Sequence, residues 1–444
     1  MSTSSQWSSR LGFILASAGS AIGLGAIWKF PFWAGANGGG AFIIPYIVFT
    51  FTIGVVLVMA EIAIGRRGRG SVMNAMRQVG GKPFAALGAF AVLTSFIILS
   101  YYSVVGGWCV SYLVEALSGN VAVESADALK ARFGDLVSNG YTNIAWHLVF
   151  LTLTCGTVVL GVEKGIERLS KYLMPTLFIL MIAIIIRGLT LDGSWAGVLY
   201  LFNFSWDSVT PSAILNAMGF TFFSLSLGAG ILVTYGAYLP KENNIPTSSI
   251  WVAVLAIQAA LLAGLMIMPA VFAFGLEPNA GPGLVFITVP MIFSHVPFGA
   301  VFAVLFYICL LVAALTSSVS LLEVVVAFMH NEWRMSRRAA TFTCWVTLFF
   351  LGAVSALSFG VWSDFTIGGR VFFDFLDYVC SNFMMPIGGL AVAVLMGWKA
   401  WPVMAEELST ASAYSPAVMK TIRIAIAYLA PILVLVAIYQ GVFG

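Results

Sequence analysis

Eleven long apolar runs recur along the sequence, and their number and length restrict the folds that the chain can adopt. An α-helix needs roughly 17–25 mainly apolar residues to cross a bilayer. We number the runs spans 1 to 11, and they cover residues 11–36, 40–65, 86–117, 143–161, 167–187, 211–239, 249–275, 297–329, 340–358, 374–397 and 421–442. The pattern predicts an all-α polytopic membrane protein with 11 transmembrane helices.

The composition is typical of a protein whose surface faces lipid. Charged residues make up 9% of the 444 residues and hydrophobic residues 60%, whereas soluble domains carry about 25% charged residues. A net charge of +3 without a basic stripe argues against a nucleic-acid partner. The three histidines lack the spacing of metal ligands, so an enzyme is not expected. We expect one transmembrane domain over residues 1–444.

Lysine and arginine are distributed unevenly between the two sides of the predicted bundle. If the N-terminus lies inside, sixteen of the 21 lysines and arginines fall on the cytoplasmic side. Cytoplasmic loops carry an excess of these residues. The distribution therefore predicts a multi-pass protein of the cell membrane, with its N-terminus in the cytoplasm and its C-terminus outside.

Spans 1 and 6 each contain a glycine-rich interruption, GSAIGLGAIWKFP at 19–31 and FFSLSLGAGILVTYGAYLP at 222–240. Unwound backbone at membrane depth is tolerated where it is buried in protein or lines a cavity. Close helix packing could explain either interruption alone. Together they occupy matching positions in two five-helix halves, residues 11–187 and 211–397, with span 11 (421–442) left over. Such pairs are typical of the binding site of an inverted-repeat transporter.

Span 8 carries three adjacent hydroxyl residues, Thr316, Ser317 and Ser318, deep in an apolar run. Each hydroxyl can bond back to a carbonyl of its own helix. Alternatively, two of them can serve as oxygen ligands for a small hard cation such as sodium. The span alone does not decide between these interpretations.

Eight longer motifs follow one another along nearly the whole chain. They are RLGFILASAGSAIGLG, WKFPFWAGANGGGAFIIPYI, SYYSVVGGW, FFSLSLGAG, TYGAYLPK, FAFGLEPNAGPGLVFITVP, LTSS and DYVCSNFMMP. In these motifs the chain resembles the neurotransmitter:sodium symporters, and in particular their prokaryotic eleven-helix amino-acid transporters with the LeuT-type fold. The resemblance implies a 5+5 inverted repeat with broken helices 1 and 6, and transport by alternating access.

The resemblance also implies a sodium site and an amino-acid site. The sodium ligands would be the carbonyls of Gly19, Ile22 and Ala313 and the hydroxyls of Thr316 and Ser317, which favours the ligand interpretation of span 8. The substrate-binding residues would be Ala21, Gly23, Leu24, Gly25, Ile98, Tyr102, Phe223, Ser224, Ser226, Ala229, Ser317 and Leu321.

Two of these positions bear on the substrate. Gly23 stands where monoamine carriers have an aspartate, so the expected substrate brings its own carboxylate. Ala229 stands where relatives often carry a bulkier residue, so the pocket is expected to suit a bulky aliphatic or aromatic amino acid.

Gates on both sides of the pocket follow from the same resemblance. Lys29 and Asp377 would form the outer ion pair, and Tyr102 and Phe223 an aromatic lid. On the inner side the usual basic and acidic residues are replaced by Ser4 and Asn331, and Arg10 with Glu332 could form a substitute pair. Gly165 and Pro175 match a helix 5 motif linked to unwinding and to water access from inside.

The chain departs from the family pattern at the first sodium site and at the chloride site. Ala26 and, less firmly, Ala256 replace two side-chain ligands of the first sodium, whereas Ser224 keeps a hydroxyl and Gln258 lies nearby. Tyr46 of the chloride site is kept, but Phe220 and Ala260 cannot hydrogen-bond an anion. We therefore expect coupling to one sodium and no chloride requirement.

The expected function is sodium-coupled symport of a hydrophobic or aromatic amino acid in a prokaryotic membrane. Proton-coupled or ion-independent transport remains an alternative, with Glu61 of span 2 as the candidate proton carrier, because an ionisable residue at membrane depth is a functional candidate. A non-transporting sensor is a more distant alternative. The sequence does not predict the substrate, the stoichiometry or the oligomeric state.

Overall fold

The computed structural model describes residues 6–119, 126–275, 284–294 and 297–443, and these are almost entirely helical. Within these ranges, 9 helices are long and apolar enough to cross a membrane, and a bent pair in span 1 brings the number to 10. Both helices of span 6 are shorter than a bilayer crossing. The count of eleven transmembrane helices therefore stays a prediction.

The first half of the chain contains ten α-helices. They are α1 Arg10–Ala21, α2 Phe30–Ala36, α3 Gly40–Phe49, α4 Val55–Gly68, α5 Val72–Gly80, α6 Lys82–Leu117, α7 Ala126–Ser138, α8 Gly140–Val159, α9 Arg168–Leu189 and α10 Ser194–Phe202. Short π-helical segments span Gly25–Lys29, Thr50–Gly54 and Val162–Glu167, and a 3₁₀ turn spans Trp206–Ser208. The helical segments Arg10–Ala21 and Gly25–Ala36 of span 1 meet at a bend of 51°.

The second half contains eleven α-helices and a small hairpin. The helices are α11 Pro211–Ser224, α12 Ile231–Ala237, α13 Ile245–Ala273, α14 Val289–Ser294, α15 Gly299–Glu332, α16 Arg337–Leu357, α17 Phe372–Val379, α18 Met385–Val394, α19 Trp401–Ser409, α20 Pro416–Ile424 and α21 Ala430–Phe443. The π-helical segments are Leu284–Thr288, Cys380–Met384, Leu395–Lys399 and Ala425–Leu429. The antiparallel strands are β1 Thr366–Ile367 and β2 Arg370–Val371.

Spans 4, 7 and 9 begin earlier than the hydropathy pattern predicted, because a capping side chain precedes the apolar run. Asn139, Asn244 and Ser336 accept hydrogen bonds from backbone N–H groups in the first turns of α8, α13 and α16. Such caps satisfy N–H groups that have no partner inside the helix. The caps extend each helix toward its N-terminus by residues that hydropathy does not count.

The two broken spans lie at the centre of the bundle. Helix α1 packs against α9, α13 and α15, whereas α12 packs against α4 and α11 against α3. The outer helices turn large apolar side chains away from the protein; Ile179, Phe350 and Leu435 are 66%, 64% and 55% exposed. Exposed apolar surface on this scale fits a lipid-facing exterior. The breaks are therefore enclosed by protein.

Candidate functional site

The helix of span 1 stops at Ala21 and resumes at Gly25. Ile22 caps α1 with φ −95° and ψ 56°, and its N–H donates to the carbonyl of Ala18 at 2.7 Å. The N–H of Leu24 then donates to the hydroxyl of Tyr102 on α6 at 3.1 Å. Backbone groups that a continuous helix would pair internally are thus directed toward the centre of the bundle.

Span 6 breaks at the same depth through a left-handed segment. Helix α11 ends at Ser224 and α12 begins at Ile231, and Ser226, Gly228 and Gly230 have φ angles of 54°, 82° and 77°. A side chain at Gly228 would also overlap the carbonyl of Met385. Glycine is therefore required at this position by both conformation and space.

A cavity of about 90 Å³ lies between the two breaks. Eleven of the twelve predicted substrate-binding residues line it, as do Lys29 and Asp377 of the predicted outer gate. The exception is Ser224, whose buried hydroxyl donates to the carbonyl of Thr221 in its own helix at 3.3 Å. The cavity also has lining residues that the sequence did not suggest: Ser20, Trp28, Tyr101, Val105, Ile231, Phe373 and Met385.

The cavity is polar at the span 1 break and at the Lys29–Asp377 pair, and apolar side chains line most of the remainder. A Cβ added at Gly23 would overlap the hydroxyl oxygen of Ser317 and lie 2.9 Å from that of Tyr102. A Cβ added at Gly25 would overlap the ring of Phe223. The two glycines thus let hydroxyl groups and an aromatic ring approach the backbone directly. This arrangement leaves main-chain N–H and C=O groups open to a small polar ligand.

Four of the five predicted sodium-ligand oxygens form two close pairs. The hydroxyl of Ser317 lies 3.2 Å from the carbonyl oxygen of Gly19. The hydroxyl of Thr316 donates to the carbonyl oxygens of Ala313 and Val312 in its own helix, each at 3.1 Å. The fifth ligand is the carbonyl of Ile22, the cap residue whose ψ angle departs from the helix. Neutral hydroxyl and carbonyl oxygens on facing helices are a donor set suited to a hard monovalent cation.

The region that the sequence resemblance assigned to a first sodium site contains buried methyl groups. Ala26 and Ala256 are 2% and 1% exposed, and the hydroxyl of Ser224 is directed to Thr221. Gln258 was considered as a substitute ligand, but it is exposed on the outer face of α13. Because its side chain is exposed, Gln258 does not share the buried surroundings of Ala26 and Ala256 in this structure.

An aromatic cluster occupies the region of the predicted chloride site. The ring of Phe220 lies 5.2 Å from that of Tyr46 and 5.7 Å from that of Phe30. Phe42 and the buried methyl of Ala260 belong to the same cluster. Apolar side chains thus surround Tyr46 in the region that the sequence resemblance assigned to chloride.

At one end of the cavity an ion pair forms between the residues of the predicted outer gate and rests on the ring of Phe223. The amino nitrogen of Lys29 lies 3.5 Å from Oδ1 of Asp377 and 4.1 Å from the centre of the Phe223 ring. The hydroxyls of Tyr101 and Ser381 donate to the same Oδ1, each at 3.1 Å. The sequence had not identified these two donors, which hold the carboxylate of Asp377 in place.

The end of the bundle near the N-terminus is closed by a different ion pair from the one considered from the sequence. Glu332 accepts from Ser71 at 2.7 Å and lies 3.8 Å from Arg77, while Arg10 is exposed. The Arg10–Glu332 pair is therefore not formed, because Glu332 faces α5. Ser4 lies outside the described residues.

Glu323 and Arg337 form an ion pair at this end in which the carboxylate is fully buried. The guanidinium of Arg337 bonds to both carboxylate oxygens of Glu323, and its Nε donates to the carbonyl of Val158 at 2.8 Å. The hydroxyl of Tyr238 donates to the same carboxylate at 2.8 Å. Trp7 closes the assembly by donating from its indole to the carbonyl of Tyr235 at 2.9 Å. Together these residues join α8, α12, α15 and α16 with the N-terminal segment.

The Gly165–Pro175 motif lies where α9 meets a π-helical segment. Gly165 is inside the π-helical segment Val162–Glu167, and Pro175 is inside α9. The carboxylate of Glu167 accepts from the backbone N–H and the hydroxyl of Ser8, both at 2.7 Å. The irregular start of this span is thus tied to the N-terminal segment.

The sequence of this chain is similar to a known protein family and to bacterial proteins. A model of the sodium:neurotransmitter symporter family matches residues 4–132 and 134–443. The Bacillus subtilis protein described as an uncharacterized sodium-dependent transporter, YhdH, is 42% identical over 395 residues, which is 89% of this chain and 88% of its own length. An uncharacterized sodium-dependent transporter of Haemophilus influenzae is 36% identical over 416 residues, 91% of each chain.

A solved structure has the same fold. The crystal structure of MhsT in complex with L-phenylalanine matches with a TM-score of 0.91 and 39% identity, covering 99% of this chain and 100% of that chain. The resemblance drawn from the sequence motifs is confirmed. The chain belongs to the sodium:neurotransmitter symporter family and is a sodium-dependent membrane transporter with the LeuT-type fold.

Proposed function

We propose that this protein carries an apolar or aromatic amino acid together with one sodium ion across the cell membrane. The main support for the proposal is that Ser317 belongs both to the central cavity and to the predicted sodium site. Its side chain lines the central cavity, and its hydroxyl lies 3.2 Å from the carbonyl oxygen of Gly19 in the sodium-type oxygen cluster. A ligand in the cavity and a cation in the cluster would share this residue, so each would favour the closed arrangement that binds the other.

The polar end of the cavity is suited to the two charged ends of an amino acid. The helical segment Gly25–Ala36 starts here, and a helix N-terminus offers unpaired N–H groups to an anion such as a carboxylate. The hydroxyl of Tyr102 lies beside the backbone of Leu24 as a further donor. Carbonyls freed at the breaks can accept from the ammonium group.

The apolar walls select the side chain of the substrate. Ile98, Leu321 and Met385 line the cavity, and the small side chain of Ala229 leaves space beside them. A neighbour with 39% identity has been solved in complex with L-phenylalanine. We therefore propose a bulky hydrophobic or aromatic amino acid as the substrate, and L-phenylalanine is the first probe to use.

Alternating access would open the two gates in turn. With the N-terminus in the cytoplasm, the Lys29–Asp377 pair closes the outer side and the Glu323–Arg337 pair closes the inner side. Residues 11–187 and 211–397 would be the two inverted repeats that rock against each other around the breaks. Both gates are closed in this structure, as expected for an occluded state.

We propose a single coupled sodium and no chloride requirement. The methyl groups of Ala26 and Ala256 cannot replace the oxygens that a first sodium would need. The Phe220 ring packs against Tyr46 where an anion would lie. Both features support coupling to one sodium ion without a requirement for chloride.

Uptake of radiolabelled L-phenylalanine into proteoliposomes tests the proposal. In the wild type we expect accumulation that requires an inward sodium gradient. The double variant Thr316→Ala with Ser317→Ala removes two of the proposed ligand oxygens and should lose sodium-driven accumulation. Thr316→Ser is the matched control, because it keeps the hydroxyl and should retain it. An unchanged sodium response in the double variant would show that the site is misplaced.

A further inference from the structure

Glu61 of α4 is a buried carboxyl group that the proposed sodium symport does not use. Its side chain lies in the middle of the bundle with 1% exposure. Oε1 accepts a hydrogen bond of 2.7 Å from the N–H of Gly228, in the left-handed segment of span 6. Oε2 is buried and has no hydrogen-bond partner among the described residues. Oε1 of Glu61 therefore stabilises the break of span 6, whereas Oε2 has no hydrogen-bond partner among the described residues.

The unpartnered side of Glu61 borders a small cavity behind the break. The cavity measures about 10 Å³, which is the lower limit of space for one water molecule. The other lining residues are apolar side chains or glycines: Val72, Met76, Leu87, Ala91, Gly228, Gly230, Val233, Gly388 and Val392. The cavity thus offers the carboxyl group no counter-charge and little solvent.

Charged groups on the surrounding elements are engaged elsewhere. Arg66 of α4 bonds to Glu407 at 2.6 Å, and Arg77 of α5 lies 3.8 Å from Glu332. Lys399, beyond α18, donates to the carbonyl of Gly80 at 2.7 Å. Tyr235, the titratable residue of α12, does not line the cavity. Burial without a counter-charge disfavours the ionised form of a carboxyl group, even with one hydrogen bond from a backbone N–H.

We propose that Glu61 is a proton-binding site whose occupancy follows the break in span 6, in addition to the proposed sodium coupling. In the closed arrangement the neutral acid accepts from Gly228 through Oε1 and carries its proton on Oε2. When the break moves and water reaches the cavity past α5, the ionised form is favoured and the proton leaves to solution. Closure around a substrate would bring the proton back, so substrate binding and proton uptake are linked.

Proton uptake by purified protein tests the inference. Saturating L-phenylalanine with sodium is added to the protein in weakly buffered detergent solution containing a pH-indicator dye. We expect uptake of up to one proton per protein when the substrate binds. Glu61→Gln keeps a carbonyl oxygen for Gly228 and places an amide where the acid O–H would lie, so it should bind substrate and lose the uptake. Glu406→Gln is the matched control, because Glu406 pairs with Arg67 on the exposed surface and its loss should leave the uptake unchanged.

The outcomes separate this inference from the proposed function. Sodium-dependent binding without proton uptake in the wild type would overturn the inference and leave the symport proposal intact. Uptake that persists in Glu61→Gln would place the proton on another group and also overturn it. If Glu61→Gln does not fold, Glu61→Asp keeps the titrating group, and uptake with the same pH dependence as in the wild type would count against Glu61. Binding that ignores sodium would contradict the proposed function instead.

Discussion

The hydroxyl of Ser226, in the break of span 6, donates a hydrogen bond of 2.9 Å to the carbonyl oxygen of Ser20, in the last turn of α1 before the break of span 1. Ser226 adopts this position with a φ of 54°, a conformation that residues other than glycine seldom take. Both residues line the central cavity. The bond therefore joins the two broken spans beside the proposed substrate site, and we expect them to move together.

Removing the hydroxyl of Ser226 should weaken substrate binding without preventing folding. A hydrogen bond contributes a net ~0.5–1.5 kcal/mol, so the Kd for L-phenylalanine in Ser226→Ala should rise by roughly threefold to tenfold. Ser226→Gly loses the same bond but accommodates the positive φ angle without strain. It should show the same loss of affinity with a higher unfolding temperature than Ser226→Ala. Unchanged affinity in both variants would mean that the bond does not hold the breaks together.

The size of residue 229 should set the size of the substrate. Ala229→Phe places a ring in the space beside Ile98 and Leu321, and it should select against large amino acids while sparing small ones. Such changes in an apolar pocket are worth about 1–3 kcal/mol, so competition assays should show a shift in preference of tenfold or more. Ala229→Ser is the control of similar size and should keep the wild-type preference. An equal loss for all substrates would indicate a folding defect and refute the specificity role.

Replacement of chloride by gluconate should leave sodium-driven uptake unaltered. The Phe220 ring packs against Tyr46 and Phe30, and the methyl of Ala260 offers no hydrogen bond to an anion. The measurement is the initial rate of L-phenylalanine uptake in proteoliposomes at constant sodium. A rate that depends steeply on chloride would show that the aromatic cluster does not replace an anion site.

Loss of Arg337 should open the inner side of the transporter. Arg337→Ala leaves the fully buried carboxylate of Glu323 without its cation, and an uncompensated buried charge strongly destabilises the arrangement that holds it. In a Ser320→Cys background, the new thiol should therefore react faster with a water-soluble reagent. Arg338→Ala is the matched control, because the neighbouring arginine is exposed. Equal thiol reactivity in the two variants would show that the pair is not a gate.

Much of the fold could be predicted because local patterns decide it. The apolar runs have the length of a bilayer crossing, and the glycines at 19–25 and 228–230 mark where helix cannot continue. The motifs that flank these breaks keep their spacing along the chain, and eleven of the twelve residues predicted from them to bind substrate line one cavity. Helix ends were less accurate because capping by Asn139 and Asn244 depends on polar residues outside the apolar run.

The features that could not be predicted depend on which way a helix faces. Helix α13 is apolar on all sides, so the sequence could not tell that Gln258 points outward and Ala256 inward. The Glu323–Arg337 pair joins two helices, and nothing in the spacing marks the residues as partners. Ser224 was expected at the substrate because a motif placed it there, but its hydroxyl bonds to its own helix. Rotamers and helix rotation are set by packing, which a single sequence does not record.

We propose that one sodium ion accompanies each substrate molecule. This proposal rests on the oxygen cluster around Thr316 and Ser317 and on the methyl groups of Ala26 and Ala256 at the first site. The most direct test is to measure uptake of radioactive sodium and of radiolabelled L-phenylalanine in the same proteoliposomes, together with a sodium titration of the rate. With one coupled sodium ion, we expect a sodium-to-substrate ratio near one and a Hill coefficient for sodium near one. A ratio near two with clear cooperativity would contradict it and would require a first-site ligand other than Ala26, Ala256 and Gln258.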